Sequence, residues 1–154
     1  MKLQPNDPAP DFTIEDQDGN LVSLSQFKGK KIVLYFYPQD DTPGCTAEAC
    51  NIRDNHSQFM KNGIVVLGVS VDNLESHTNF IEKYSLPFTL LADVDHQVSE
   101  TYGVWVLKQK IGNTYMGVAR TTFLINEDQK IYKIYENVQP SQHGEEILAD
   151  WLGK

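Results

Sequence analysis

The chain has 154 residues, 40% of them hydrophobic and 22% charged, and a formal net charge of −8. This length and makeup predict a single domain, residues 1–154, with one sizeable core. The acidic balance, with no basic cluster longer than residues 28–31, argues against nucleic-acid binding. The longest apolar runs, residues 32–37 and 64–71, are far shorter than the roughly 20 residues of a membrane helix, and no signal-peptide pattern follows Met1. We therefore expect a cytoplasmic protein that binds no membrane.

The first half of the chain alternates between strand and helix patterns. Two short alternating stretches flank Asp18-Gly19 in "FTIEDQDGNLVSL". They predict an N-terminal β-hairpin, because this dipeptide tolerates the positive backbone angles of a tight turn. The next predicted elements are a strand at 32–37, a helix from Thr42 to near Asn62-Gly63, a strand at 64–71 and a helix at 74–84. Their order is a βαβα pattern.

The second half of the chain changes to a ββα pattern. It begins with a short strand at 88–92 and a short helix at 98–102 that Gly103 closes. "TTFLINEDQKIYKIYE" then predicts two strands joined by a polar turn, and "EEILADWL" predicts an amphipathic helix. A βαβ unit, a connecting helix and a ββα unit form the thioredoxin-like arrangement. We therefore predict an α/β, thioredoxin-like fold: a central mixed β-sheet flanked by helices, with an added N-terminal β-hairpin.

Both cysteines of the chain, Cys45 and Cys50, lie in "YFYPQDDTPGCTAEAC". Thr42-Pro43 is a favourable helix start, because threonine can cap free N–H groups and proline at the first helical position loses no hydrogen bond. Cys45 then falls in the first turn, where the free N–H groups and the helix dipole favour a thiolate. We therefore predict that Cys45 is a nucleophile. Cys50 considered alone would indicate core packing.

A metal site is disfavoured by the spacing of the other potential ligands. The four histidines are scattered without a ligand pattern, so we interpret them as surface or packing residues: His56, His77, His96 and His143. The chain also lacks a phosphate-binding glycine loop and the Cys-x-x-Cys pair of disulfide exchangers. Thiol chemistry on a small oxidant is the remaining interpretation.

"YFYPQDDTPGCTAEAC", followed by "IRD", resembles the active-site signature of the peroxiredoxins. Within that family it is most similar to the bacterioferritin comigratory protein, or peroxiredoxin Q, group. "YGVW", "YMGVARTTFLI" and "HGEEIL" follow in the family's order, so the resemblance spans nearly the whole chain. The Pro-x-x-x-Thr-x-x-Cys core with a second cysteine five residues later makes it specific.

The resemblance implies roles for five residues. Cys45 corresponds to the peroxidatic cysteine and Cys50 to the resolving cysteine. Thr42 would offer its hydroxyl to the thiolate or the peroxide, and Pro38 would shield the pocket. Arg120 would stabilise the thiolate and the transition state with a permanent positive charge. Considered alone, Arg120 would be interpreted as a solvated arginine at a strand edge.

The implied activity is a thiol-dependent peroxidase that serves antioxidant defence and redox homeostasis. Cys45 would reduce hydrogen peroxide or an organic hydroperoxide and become a sulfenic acid, which Cys50 would resolve as an intramolecular disulfide. Thioredoxin or a similar dithiol reductant would reopen the disulfide, so we expect no cofactor and no metal in this chain. We expect a monomer or a weak homodimer, because both cysteines belong to one chain.

Two acidic residues directly before Thr42 fit the implied site less well. The charges of Asp40 and Asp41 oppose thiolate formation, and we expect both carboxylates to be solvated and screened. Five large side chains are interpreted as ordinary core, with pocket wall as the alternative: Tyr37, Phe80, Tyr84, Trp105 and Met116.

Two other functions stay open from the residues alone. One is a thioredoxin-like reductase of protein disulfides, and the other is a holdase-like or peroxide-sensing binding protein that uses its cysteines as a switch. The cysteine spacing favours the peroxidase over both. If Cys45 and Cys50 share one helix, their Cα atoms are about 8–9 Å apart, whereas a disulfide allows roughly 4.4–6.8 Å. We therefore expect residues 42–50 to unwind when the disulfide forms.

Overall fold

The computed structural model describes residues 2–153. Within these residues the strands are β1 (Thr13–Asp16), β2 (Leu21–Ser23), β3 (Lys31–Phe36), β4 (Ile64–Ser70), β5 (Thr89–Ala92), β6 (Trp105–Lys110), β7 (Asn113–Val118), β8 (Thr121–Ile125) and β9 (Ile131–Glu136). The helices are α1 (Pro43–Asp54), α2 (His56–Lys61), α3 (Leu74–Tyr84), α4 (Gln97–Thr101) and α5 (His143–Leu152). Among residues 2–153, none of the helices has the length and hydrophobicity that a membrane span requires.

The central sheet has seven strands in the order β2-β1-β5-β4-β3-β8-β9. β3, β4 and β5 are parallel to one another, whereas β1, β8 and β9 join as antiparallel strands. β3 is buried along nearly its whole length, as expected for a central strand that has helices on both sides. The predicted mixed sheet of a thioredoxin-like fold is confirmed.

Apolar side chains of β3 alternate between two cores, one on each face of the sheet. Ile32, Leu34 and Phe36 belong to one buried cluster. Val33 and Tyr35 belong to the other cluster, which also contains Cys45 and further residues of α1. Because successive residues of a strand point to opposite faces, a single apolar run supplies both cores. The site cysteine is therefore packed into the interior of the fold.

The predicted N-terminal hairpin is formed by β1 and β2, with Ile14 opposite Val22. Asp16 closes the turn, because its Oδ1 accepts the backbone N–H groups of Asp18 at 2.9 Å and Asn20 at 3.0 Å. β1 also pairs with β5, so the hairpin extends one edge of the central sheet.

The helix predicted from Thr42 to near Asn62-Gly63 is divided in the structure, and the prediction of one helix is wrong. α1 ends at Asp54, and Asn55 connects it to α2 with φ −102° and ψ 2°. The Asn55 side chain donates to Asn51 O at 2.9 Å and to Glu145 Oε1 at 2.6 Å. Asparagine competes in this way with the regular helical hydrogen bonds, which explains the break.

A second, two-stranded sheet was not predicted. β6 and β7 pair antiparallel around Ile111-Gly112, where Gly112 supplies the positive φ (+76°) of the turn. Most side chains of this hairpin are exposed, including Leu107 (66%) and Ile111 (101%). Because neither strand has a buried face along its whole length, residues 105–118 do not show the regular apolar alternation by which a half-buried strand is recognised.

Candidate active site

The loop between β3 and α1 delivers the first site residues. Thr42 is the N-cap residue of α1 and Pro43 is its first residue, as predicted. The expected side-chain cap is not formed, and that prediction is wrong. The Thr42 hydroxyl instead donates to the carbonyl oxygen of Gln39 at 3.0 Å, which fixes the loop rather than the helix. Pro38 lies half-buried in the same loop.

Cys45 is the third residue of α1 and its side chain is almost fully buried (2% exposed). In this first turn the backbone N–H groups have no helical acceptor, so the helix terminus presents positive charge to the sulfur. Arg120, between β7 and β8, donates from Nη2 to Cys45 Sγ at 3.3 Å. The approach needs a small neighbour, because a Cβ on Gly44 would lie 3.0 Å from Arg120 Nη2. Two sources of positive charge therefore meet at the sulfur.

Glu48 holds the other arm of Arg120. Its Oε1 accepts from Arg120 Nη1 at 2.6 Å, and the Glu48 side chain is completely buried. Glu48 follows Cys45 by three positions, so both residues face Arg120 from the same side of α1. Within residues 2–153 the second oxygen, Oε2, has no hydrogen-bond partner. A single guanidinium thus bridges a buried carboxyl and the site sulfur.

Burial controls the charges of this cluster. Burial raises the pKa of Glu48 to about 7, although the Arg120 charge and hydrogen bond act in the opposite direction. Burial alone would lower the pKa of Arg120, but Glu48 and Cys45 together outweigh it, and the Arg120 pKa is raised. Arg120 is therefore a permanent cation, whereas Glu48 changes its charge near neutral pH.

Asp40 is buried, and the prediction that it is solvated is wrong. Its side chain is 4% exposed. Oδ1 accepts from Tyr37 OH at 2.6 Å, and Oδ2 accepts from Ser76 Oγ at 2.8 Å. His77 Nδ1 lies 2.7 Å from the same Oδ2. A carboxylate that several donors satisfy in the interior is fixed in place, so Asp40 ties the site loop to α3.

His77 is completely buried and forms a hydrogen bond with Asp40. Its Nε2 lies 2.9 Å from the carbonyl oxygen of Leu91, which can only accept, so Nε2 carries a hydrogen. Asp72 is close to this pair, but its Oδ2 already accepts from Asp40 N at 2.8 Å and Ser70 Oγ at 2.6 Å. These hydrogen bonds hold the loop before α1.

Asp41 is exposed at the surface but is not free, which only partly fits the solvated carboxylate that we predicted. Lys83 Nζ lies 2.7 Å from its Oδ2, and Tyr84 OH donates to Oδ1 at 2.7 Å. The hydrogen bonds from Lys83 and Tyr84 lower the pKa of Asp41. The negative charge is thus paired with residues of α3.

Cys50 lies on the same helix as Cys45, and both thiols are free. Cys50 is half-buried and follows Cys45 by five positions. Because α1 is continuous from Pro43 to Asp54, this spacing places the two sulfurs on different faces of the helix. The two cysteines can bond only after the backbone moves.

The five large side chains that we interpreted as core lie in three different places. Tyr37 and Phe80 are buried in the Cys45 core, and Tyr84 packs partly against it, as predicted. Trp105 is half-buried and packs partly against the opposite core. Met116 on β7 is 46% exposed, so its assignment to the core is wrong.

Known proteins are similar to this chain over nearly its whole length. A model described as the AhpC/TSA family matches residues 5–134. The putative peroxiredoxin Bcp of Coxiella burnetii is 49% identical over 149 residues, which cover 97% of this chain and 99% of the relative. This chain is a peroxiredoxin of the AhpC/TSA family. The peroxiredoxin Bcp of Escherichia coli strain K12 is 46% identical over 97% of this chain and 96% of its own length.

Solved structures of peroxiredoxins are also similar to this chain. A cysteine-to-serine mutant of Xylella fastidiosa PrxQ superimposes with a TM-score of 0.94 at 28% identity, covering 99% of this chain and 98% of that one. The bacterioferritin comigratory protein of Xanthomonas campestris has a TM-score of 0.87 at 30% identity, covering 92% and 90%. The family resemblance and the peroxidase class are thereby confirmed.

Glu48 is the site residue of this peroxiredoxin that sequence reasoning missed. A signal was present, because Glu48 is a lone acidic residue among Cys45, Ala49 and Ile52, which are all buried on α1. An acidic residue on an apolar helix face is unusual unless it is paired. Its partner, Arg120, is 72 positions away and could not be identified from spacing.

We predict that Glu48 makes the oxidation of Cys45 dependent on pH near neutrality. Above about pH 7 the Glu48 carboxylate is charged, competes for Arg120 and opposes negative charge at the sulfur. The rate constant for hydrogen peroxide, expressed per thiolate, should fall about two- to fivefold as the pH rises through this range. Glu48→Gln keeps an oxygen for Arg120 Nη1 but has no charge, so its profile should be flat.

Stopped-flow oxidation of reduced protein across this pH range measures the effect. Glu82→Gln on α3 is the control, because Glu82 is exposed and should leave the wild-type profile intact. An identical pH step in wild type and Glu48→Gln would assign the step to another group.

Proposed function

We propose that this peroxiredoxin reduces hydrogen peroxide and organic hydroperoxides to water or alcohols, with Cys45 as the attacking residue. The observation that carries the proposal is the contact of Arg120 Nη2 with Cys45 Sγ at the first turn of α1. The thiolate attacks one peroxide oxygen, the O–O bond breaks, and the leaving oxygen takes a proton. Cys45 becomes a sulfenic acid. Alkyl peroxide reduction by the Xanthomonas campestris relative supports organic substrates.

Three further residues complete the proposed substrate site. Arg120 stabilises the negative charge that begins on sulfur and moves to the leaving oxygen. Thr42 donates its hydroxyl hydrogen to Gln39 O, but its oxygen keeps lone pairs that can accept from the peroxide O–H. Pro38, half-buried in the same loop, shields the sulfur from water.

Cys50 is the proposed resolving residue. Its thiol condenses with the Cys45 sulfenic acid, which releases water and forms one S–S bond. A disulfide allows Cα atoms roughly 4.4–6.8 Å apart, whereas residues five apart in a helix are separated by about 8–9 Å. The first turns of α1 therefore unwind before the bond forms. Pro43 and Gly44 contribute little helical stability to this segment.

Unwinding should stop at Asn51, because the second half of α1 is anchored to α5. Asn51 Nδ2 donates to Ser141 O at 2.9 Å and to Glu145 Oε1 at 2.8 Å. Gly144 N donates to Asn51 Oδ1 at 2.6 Å, and a Cβ on Gly144 would lie 2.9 Å from that oxygen. Residues 42–50 lack such an anchor to α5, so the boundary falls directly after Cys50.

An external dithiol, thioredoxin or a similar reductant, would reopen the disulfide by thiol exchange. A cycle of this kind uses the two cysteines and needs no further redox group. It suits a single domain in a reducing compartment such as the cytoplasm, where lasting disulfides are rare.

Replacing each cysteine separates the two proposed roles. Cys45→Ser should lower thioredoxin-dependent peroxide consumption by about three orders of magnitude or more, because a hydroxyl supplies no anion at neutral pH. Cys50→Ser should react once with peroxide and then stall as a sulfenic acid that oxidises further to sulfinic acid. Peroxide consumption and intact mass report both results.

Either of two results would contradict the proposal. One is substantial turnover by Cys45→Ser, and the other is normal thioredoxin-dependent turnover by Cys50→Ser. Reduction of insulin disulfides without peroxide by the wild type would instead support a disulfide reductase.

We predict that the disulfide form loses amide protection at residues 42–50 and keeps it from Asn51 to the end of α1. The first segment must unwind, whereas the Asn51 side chain holds the second to α5. Hydrogen exchange of the reduced and disulfide forms, with the disulfide confirmed by mass, measures the boundary. In Asn51→Ala the loss should extend toward Asp54. Equal protection in the two redox forms of the wild type would contradict unwinding.

A further inference from the structure

Lys108 on β6 is a cation that the proposed mechanism does not yet use. It is half-buried, and its side chain crosses the neighbouring strand at Gly117. A Cβ on Gly117 would lie 3.2 Å from Lys108 Cδ and 3.6 Å from Cε, so the missing side chain leaves room for the lysine stem. In the β6–β7 register Lys108 is opposite Tyr115. The stem therefore bends along β7 in the direction that leads to Arg120.

Lys108 and Arg120 line the same cleft, a cavity of ≈ 440 Å³. Ala119 and Thr121, the sequence neighbours of Arg120, also line the cleft, together with residues 136–138. The acidic residue of this lining, Glu136, pairs with Lys2 at 2.9 Å. Lys108 forms no ion pair with any residue between 2 and 153. Its ammonium is thus available to charges that arise in the cleft.

Lys108 shares its electrostatic environment with Arg120 and Cys45. Burial lowers the pKa of Lys108, the Arg120 charge lowers it further, and negative charge on Cys45 acts in the opposite direction. The other titratable groups near these residues are Glu48, which pairs with Arg120, His143 on α5, on which the Arg120 charge acts, Tyr115 on β7, and Glu136 on β9, which pairs with Lys2.

We propose that Lys108 is a second cation of the peroxide site, which stabilises negative charge on Cys45 and on the oxygen that leaves it. The proposal rests on the peroxidase mechanism above. When Cys45 and Glu48 are both ionised, Arg120 alone leaves the cluster with an excess negative charge. The Lys108 ammonium restores neutrality on the side of Arg120 that faces the cleft. Buried charges of one sign are costly, so the second cation lowers the barrier.

Three variants test this role against a structural one. Lys108→Met keeps the apolar stem over Gly117 and removes the charge. Lys108→Arg keeps a permanent charge. Lys110→Met is the matched control, because Lys110 lies two residues along the same face of β6 and is exposed. Each variant is reduced and mixed with hydrogen peroxide, a neutral substrate that long-range steering does not affect.

We expect Lys108→Met to slow oxidation of Cys45 about fivefold. This is the effect expected from removing one charge whose interaction with the site is partly screened by solvent. Lys108→Arg should stay within about twofold of the wild type, and Lys110→Met should be unchanged. The wild-type rate per thiolate should also fall at alkaline pH, because burial and Arg120 lower the Lys108 pKa. Lys108→Arg should lack this alkaline fall, which is separate from the Glu48 step near pH 7.

Equal rates for Lys108→Met and Lys110→Met would overturn the proposal. So would equal losses in Lys108→Met and Lys108→Arg, which would indicate packing of the lysine stem. If Cys45 of the reduced wild type does not react with peroxide, the proposed mechanism fails; if it reacts but Lys108→Met is normal, only the role of Lys108 fails.

Discussion

The site depends on the Arg120 guanidinium, which joins a sulfur and a carboxyl that are both buried. Its two terminal nitrogens contact Cys45 Sγ at 3.3 Å and Glu48 Oε1 at 2.6 Å. Without this cation, two acidic groups three positions apart on α1 would face each other in the interior. Breaking such a buried pair typically costs about 3–5 kcal/mol, because an uncompensated charge remains. The same contact that prepares the thiolate therefore also holds the first turn of α1 in place.

Sheet register explains how a residue 75 positions away reaches Cys45. β3 and β8 are antiparallel neighbours, and Phe36 at the end of β3 is opposite Thr121 at the start of β8. The loop that leads to α1 follows Phe36, and Arg120 directly precedes Thr121. The site loop and Arg120 therefore lie at the same end of these two neighbouring strands. The buried Asp40 network ties the loop to α3, so that α1 begins at a fixed position.

Local signals in the sequence predicted the sheet, the added hairpin and the placement of both cysteines on one helix. These features depend on short-range chemistry, such as the Asp-Gly turn and proline at the start of α1. Asp40 was misjudged because two of its three side-chain partners, Ser76 and His77, come from α3, more than 30 positions away. Glu48 was missed because only the fold shows that Arg120 reaches it. The β6–β7 hairpin was missed because it is mostly exposed and lacks regular apolar alternation.

Under the proposed mechanism, the redox state of Cys45 also controls the stability of the first turn of α1. A thiolate accepts a charge-assisted hydrogen bond from Arg120, which is roughly twice as strong as a neutral one. A sulfenic acid is neutral and weakens that bond, so oxidation removes part of what holds residues 42–50 in helical form. Glu48 keeps its own bond to Arg120, which opposes the release. Asn51 limits it to the segment that carries both cysteines. Unwinding is thereby coupled to the arrival of peroxide, and the folded helix keeps Cys50 away from Cys45 until then.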